Sequence, residues 1–343
     1  MADQPAALAS GTATPARRRR SSPWLRQSSN RLMLGLLTLV CVSIVLFAAT
    51  QALPGSAARY MLGSGASPEA IAELEHELGL DRPVWVQYLD WAGGFLTGDM
   101  GTSLTSARTP VAQLVGPATS YSMLLLTLSI SLAVVLSIVV GVLAAARRNG
   151  IFDTLFQGFS MVFTAIPEFV VGIGLVILFA TTVFHIFPAV ALIPPGSPAL
   201  QNLDLFVLPV LTLLVGAVAY LGRLVRASMI EALDSEYILV ARFKGLSEGH
   251  ILFRHALPNS LVPMIQGTAV AIAYLSAGIV VVEYVFALPG LGTLLIQSVA
   301  NRDLPLLQAV GLILAGVCVL ANLIADMLVI YVTPKLRTRG GHQ

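Results

Sequence analysis

Glu236-Tyr237-Ile238-Leu239-Val240-Ala241-Arg242-Phe243-Lys244-Gly245-Leu246-Ser247, running on to His255-Ala256-Leu257-Pro258, is a charged stretch set between two long apolar runs. Glu231, Asp234 and Glu236 precede Arg242 and Lys244, so both signs of charge lie along one helical segment. Gly245 suits a helix C-cap because glycine accepts positive φ, and Ser247 suits the N-cap of a second short helix. Pro258 is expected to end that helix before the next apolar run. The pattern predicts a short helix lying along a membrane surface. Its apolar anchors, Leu246, Ile251 and Leu252, suit a groove on a soluble partner; an amphipathic loop resting on lipid is the alternative.

The runs on either side settle the class. Hydrophobic residues make up 56% of the 343 and charged residues 11%, where a soluble domain carries about 25% charged residues. Apolar runs of about 20 residues span a bilayer core. Six are present: 32–53, 119–146, 158–184, 205–221, 261–282 and 306–332. The fourth is interrupted by Pro209. Only helices satisfy their own backbone in lipid, and the alternating strands of a barrel are absent from the sequence. The fold class is therefore an all-α, multi-pass membrane protein with six transmembrane helices.

Lysine and arginine set the orientation. Of 20 basic residues, 16 fall in the N-terminal tail, at 147–148, in 223–254 and after residue 332. Both termini are expected in the cytoplasm. The 54–118 loop, with seven acidic and three basic residues, is then external. Residues 1–30, rich in Ala, Arg, Ser and Pro, read as a disordered basic tail, and 333–343 as a second cytoplasmic tail. The first run, about 22 residues, exceeds the 7–15 of a signal peptide core, so it is read as a retained helix. Within the external loop, Ser67 and Pro68 are expected to start a helix that Gly79 ends. Trp85, Tyr88 and Trp91 suit the headgroup level. Cys41 and Cys318 lie inside spans and make no disulfide framework.

Catalytic chemistry has no foothold. The two lysines, Lys244 and Lys335, do not follow the glycines of a phosphate-binding loop. No Ser/His/Asp set is found, and the five histidines have no metal-ligand spacing. No cofactor or metal is expected in this chain.

Ala241, Gly245, Leu257 and Pro258 match the spacing of the loop by which ABC importer permeases dock on their ATPases. The order Gly79-Leu80-Asp81-x-Pro83, Gln87-Tyr88, Gly98-Asp99-x-Gly101-x-Ser103, then Glu283-Tyr284 through Leu288-Pro289-Gly290-Leu291-Gly292, then Arg302-Asp303-x-Pro305, resembles the B-type permease subunit of dipeptide and oligopeptide ABC importers. Pro54-Gly55 fits as well, although the acid usual after it is Ser56, and the family's Asp-Pro-Arg ending is Thr333-Pro334-Lys335 here. The likeness covers about residues 32–337. It implies a type I importer permease core over 115–332 in a bacterial inner membrane. It implies as partners a homologous second permease, two ATPase subunits that bind ATP and Mg, and an extracytoplasmic solute-binding protein, with no nucleic acid. Residues 223–258 would dock on the ATPase, through Ala241, Arg242, Gly245, Leu246, Ser247, Ile251, Leu252, Leu257 and Pro258. Pro289, Gly290 and Gly292 would form the outer turn.

Ionisable groups at membrane depth face a path or a partner. Glu168, which follows Pro167 where the proline frees a backbone carbonyl and can bend the helix, and Glu283 are candidates for the solute path, with Phe169 beside Glu168. For these two acids and for Asp326 the alternative is a hydrogen bond to a neighbouring helix or to the partner permease. Nickel or glutathione are alternative solutes. A proton-coupled secondary transporter would show relay residues in several spans and inverted repeats, and neither is visible.

Overall fold

A computed structural model describes residues 23–332 except 53–56, 64, 78, 106–107 and 195. Residues 1–22, Pro54-Gly55 and 333–343 lie outside the described residues, whereas 23–30, expected to belong to a disordered tail, are helical and open α1. The chain forms α1 (Pro23–Gln51), α2 (Ala57–Leu62), α3 (Pro68–Glu77), α4 (Val84–Thr97), α5 (Val111–Ala146), α6 (Ile151–Ala165) and α7 (Glu168–Val176). A 3₁₀ segment (Ala199–Phe206) leads into α8 (Val207–Leu233), followed by α9 (Glu236–Phe243), α10 (Glu248–Ile251), α11 (Leu257–Val285), α12 (Leu291–Ala300) and α13 (Leu304–Val332). Among the described residues there is no strand, only an isolated bridge between Thr102 and Pro110.

Five helices are long and apolar enough to cross a bilayer, or six if α6 and α7 count as one span. The expected third helix over 158–184 is not continuous. Its two legs meet at 103° across Ile166 and Pro167. Ile166 is extended at φ −85°, ψ 128°, the conformation that a following proline ring imposes, and Pro167 has no N–H to continue the ladder. Pro209, by contrast, interrupts nothing. It is the third residue of α8, where its missing N–H is one of those the first turn leaves unused. That helix runs 12 residues past the expected 205–221.

The centre of the molecule is α8. Of its apolar window 61% is buried, against 11% for α1 and for α13. Its main partners are α5 and α11, which also touch each other. Small residues let α5 and α8 approach closely, as membrane helices require. A Cβ on Gly141 of α5 would sit 2.7 Å from Val225 and 2.8 Å from the Gly222 carbonyl of α8. The main core, with Leu125, Phe206, Leu213, Leu221, Leu275 and Ile279, fills the space between these three helices.

The outermost pair, α1 and α13, is antiparallel. Arg31 meets Asp326 at 3.1 Å at one end, and Gln308 donates to Thr50 at 2.7 Å at the other. Asp326 therefore bonds to a neighbouring helix. Both cysteines are free; Cys41 is exposed on α1 and Cys318 is partly buried.

The segment before α5 is more helical than expected. Ser67 caps α3 by accepting from the Ala70 amide at 3.2 Å, and Gly79 follows at φ 67°. A further helix, α4, opens after Pro83 and closes at Gly98, φ 88°. Tyr88 and Trp91 of α4 pack on Phe47 of α1, with ring centroids 5.5 and 5.6 Å away, whereas Trp85 stays exposed.

Candidate functional site

The 236–258 loop is ordered by its own bonds. Gly245, at φ 77°, donates to Arg242 O at 2.9 Å, and Leu246 donates to Ala241 O at 3.3 Å. That pair of bonds is the glycine-closed helix end expected at this position. Ser247 Oγ accepts from the His250 amide at 3.4 Å, opening α10. Arg242 grips Glu248 with two donors, at 2.9 and 3.2 Å, and so pins α9 to α10. Asn259 at the head of α11 donates to Tyr237 Oη at 2.8 Å.

Pro258 does not end α10. A π turn, Leu252–Ala256, carries the chain into α11, and the Leu257 amide reaches Leu252 O. The wider turn takes in a proline that cannot donate, so the helix from Glu248 to Val285 is unbroken.

Of the three expected anchors, Leu246 lies at the surface. Ile251 is fully buried against Ile238 and Ala241, forming a small core inside the loop. Leu252 packs on a second core with Met229 and Ala256. The outward apolar groups are instead Phe243, 80% exposed, and Phe253, 63%, with Tyr237, Leu239 and Val240. Of the expected anchors, then, Leu246 faces outward while Ile251 and Leu252 pack inside the protein.

Glu283 is the second feature. It is fully buried, two residues before the end of α11. Ser122 of α5 donates to Oε1 at 2.5 Å, and the Gly292 amide donates to Oε2 at 2.7 Å. The Leu291 amide donates to Ser122 Oγ at 2.7 Å. The carboxylate thus caps the N-terminus of α12 from a distance, where the helix dipole favours negative charge. A Cβ on Gly290 would strike this carboxylate, and one on Gly292 would strike the Val280 backbone. The Pro289-Gly290-x-Gly292 turn is glycine-rich because two backbones and a carboxylate share its space. With both oxygens taken up, Glu283 presents nothing to a path. These bonds match the alternative kept for this acid, a hydrogen bond to a neighbouring helix.

Glu168 stands differently. It is the first residue of α7, partly exposed, and its carboxylate lies over Gly278 and beside the Tyr274 hydroxyl of α11. Phe169 is 44% exposed next to it. Where α6 turns into α7, a cavity of about 250 Å³ is lined by Thr164, Tyr220, Arg223, Val270 and Tyr274.

Two polar nodes escaped sequence reasoning. Asp153, buried at the start of α6, accepts from the Asn149 amide at 2.9 Å and from Arg226 of α8, whose Nη2 is 2.7 Å away. Asp303 accepts from Ser103, from Thr105 Oγ1 at 3.0 Å and from the Leu104 amide at 3.2 Å, fastening the 101–105 segment to the head of α13. The motifs around Ser103 and Asp303 are partners across 200 residues. The isolated acid in each apolar neighbourhood was the available signal.

Residues 137–338 match the family described as binding-protein-dependent transport system inner membrane component, and 25–138 match its N-terminal part. A putative peptide transport system permease protein of Brucella abortus (strain 2308) is 34% identical over 307 residues, covering 90% of this chain and 97% of that one. A dipeptide transport system permease protein of Lactococcus lactis subsp. cremoris is also 34% identical, with the same coverage. An oligopeptide transport system permease protein of Bacillus subtilis (strain 168) is 33% identical over 89% of this chain and 97% of its own length. With both family regions matched end to end and the spans in place, the chain belongs to the binding-protein-dependent transport system inner membrane component family, as a multi-pass inner-membrane protein of bacteria.

Proposed function

We propose that this chain is a permease subunit of an ATP-driven importer that carries peptides delivered by an extracytoplasmic binding protein. The observation that carries the reading is the 236–258 loop. It is a self-ordered polar element with Phe243 and Phe253 turned outward and a buried Ile238–Ala241–Ile251 core beneath them. A helix built this way suits a groove on a soluble ATPase, and the ATP and Mg would be bound there. The relatives named for dipeptide and oligopeptide transport align along about nine-tenths of the chain, which supports peptides as the cargo.

In this reading both termini and the loop are cytoplasmic, and a homologous second permease completes the path. Glu168 and Phe169 face that path at the bend of the third span. ATP-driven closure shifts the subunit pair between two exposures through contacts that differ in the two states. This chain contributes no covalent chemistry.

The test is ATP hydrolysis by the complex in lipid nanodiscs, with and without loaded binding protein. Stimulation by the binding protein that Gly245→Pro abolishes, with all subunits still co-purifying, is expected. Equal stimulation in the Gly245→Pro complex would remove the docking assignment.

A further inference from the structure

Three of the acids on the membrane helices are answered inside this chain. Asp153 meets Arg226, Asp326 meets Arg31, and Glu283 accepts from Ser122 and the Gly292 amide. Glu168 is not answered in this way. Among the described residues, no Lys, Arg or His stands within ion-pair distance of it. Its neighbours on α11 are neutral: the Tyr274 hydroxyl, and the backbone of Gly278, where an added Cβ would lie 3.3 Å from Oε1. Tyr274 lies 17 residues from one end of α11 and 11 from the other, which sets it roughly 16 Å from the nearer end at 1.5 Å per residue. An acid beside it is therefore inside the span and not at its rim. At that depth a carboxylate is costly, and it marks a path or a charged partner.

The local structure favours a charged, accessible carboxylate. The break at Ile166 and Pro167 makes Glu168 the first residue of α7, where the helix dipole favours negative charge. The Tyr274 hydroxyl donates to the carboxylate, which orients it but takes only one of about four acceptor positions. Gly278 leaves room for it, since any larger residue would press on Oε1. Phe169 and Tyr274, beside it, are 44% and 51% exposed, so a solute reaches the carboxylate from the surface of the subunit. Both are aromatic, a surrounding that attracts an ammonium group.

We propose that Glu168 receives the N-terminal ammonium of the peptide as it passes the bend of the third span, with Tyr274 as the positioning residue. This rests on the peptide-importer reading and deepens it. The permease itself, besides the binding protein, distinguishes a free amino terminus from a blocked one.

The experiment uses the full complex in proteoliposomes, with binding protein purified in the loaded state with either labelled alanyl-phenylalanine or its N-acetyl derivative. A hydrogen bond between charged groups is worth roughly a tenfold preference or more, so the wild-type complex should import the free dipeptide at least about tenfold faster than the blocked one. Glu168→Gln should bring the ratio close to one by slowing the free dipeptide alone. Glu168→Asp, which keeps the charge, should retain part of the preference, and Tyr274→Phe should lower it. A wild-type ratio near one, or an unchanged ratio in Glu168→Gln, overturns the assignment. Equal slowing of both peptides in Glu168→Gln also overturns it, and would give the carboxylate to a structural pairing with the partner permease or with Arg223 on the nearby cavity wall. If Glu168→Gln does not assemble, Tyr274→Phe decides: a reduced ratio supports the contact and an unchanged one refutes it. Wild-type complex that imports neither peptide overturns the peptide reading itself, and the Glu168 assignment with it.

Discussion

Removing the Glu283 carboxylate separates a structural cap from a path residue. In Glu283→Ala the Gly292 amide and the Ser122 hydroxyl lose their acceptor at a site closed to solvent. Each stranded buried donor costs about 1–3 kcal/mol, so the variant should lose about 2–6 kcal/mol before any cavity is counted. That is a large part of the 5–15 kcal/mol typical of a folded chain. Glu283→Gln keeps the shape and one acceptor, but sets an amide donor against a donor, at about 1–3 kcal/mol. The assay is thermal unfolding of purified complex in detergent, followed by tryptophan fluorescence, with peptide uptake measured on whatever assembles. The expected order of melting temperature is wild type, then Gln, then Ala, and the KM of assembled Glu283→Gln should equal that of wild type. An unshifted melting temperature together with a severalfold higher KM would refute the cap and return Glu283 to the path.

Other outcomes follow from the same contacts. Asp153→Ala leaves Arg226, 16% exposed, without its partner, which should cost about 1–3 kcal/mol; Asp153→Ala with Arg226→Ala should be less damaging than the sum of the single changes, as read by the same melting assay. Phe243→Ser with Phe253→Ser should leave the fold intact, since both rings are exposed, and should weaken co-purification of the ATPase; undiminished co-purification would count against those rings as anchors. His76 Nδ1 and Asp81 Oδ2 are 2.7 Å apart, and the carboxylate raises the His76 pKa while the imidazolium lowers that of Asp81. The pair therefore supports the α3–α4 turn fully from above the unfolded Asp value, about 3.9, to below the unfolded His value, about 6.5. Its contribution fades as pH rises through the raised His76 pKa or falls through the lowered Asp81 pKa. Limited proteolysis of this segment should quicken between pH 6 and 8 in wild type and show no such dependence in His76→Gln.

The spans were legible because 20-residue apolar runs admit few other readings, and the helix ends at Ser67, Gly79, Gly245 and Ser247 were legible because capping is local chemistry. Prolines were read unevenly. The bend at Pro167 was legible, but Pro209 sits harmlessly in a first turn and Pro258 is absorbed by a π turn. Their effect depends on which backbone groups already lack partners. The polar nodes failed for another reason. Ser122 with Glu283, Asp153 with Arg226 and Ser103 with Asp303 join residues 73 to 200 apart. Nothing local says that an acid in an apolar run will be capped by a helix elsewhere. Ile251 is buried because α10 folds back on α9, setting it against Ile238 and Ala241, a contact that the spacing of apolar residues does not reveal.

The most direct test of the account is uptake of labelled di-, tri- and pentapeptides by cells with and without this gene, with ATP depletion as control. Loss of ATP-dependent peptide uptake on deletion is the result the account predicts. Unchanged uptake in a strain stripped of other peptide importers would contradict it, and would move the cargo of this permease to nickel, glutathione or another small solute.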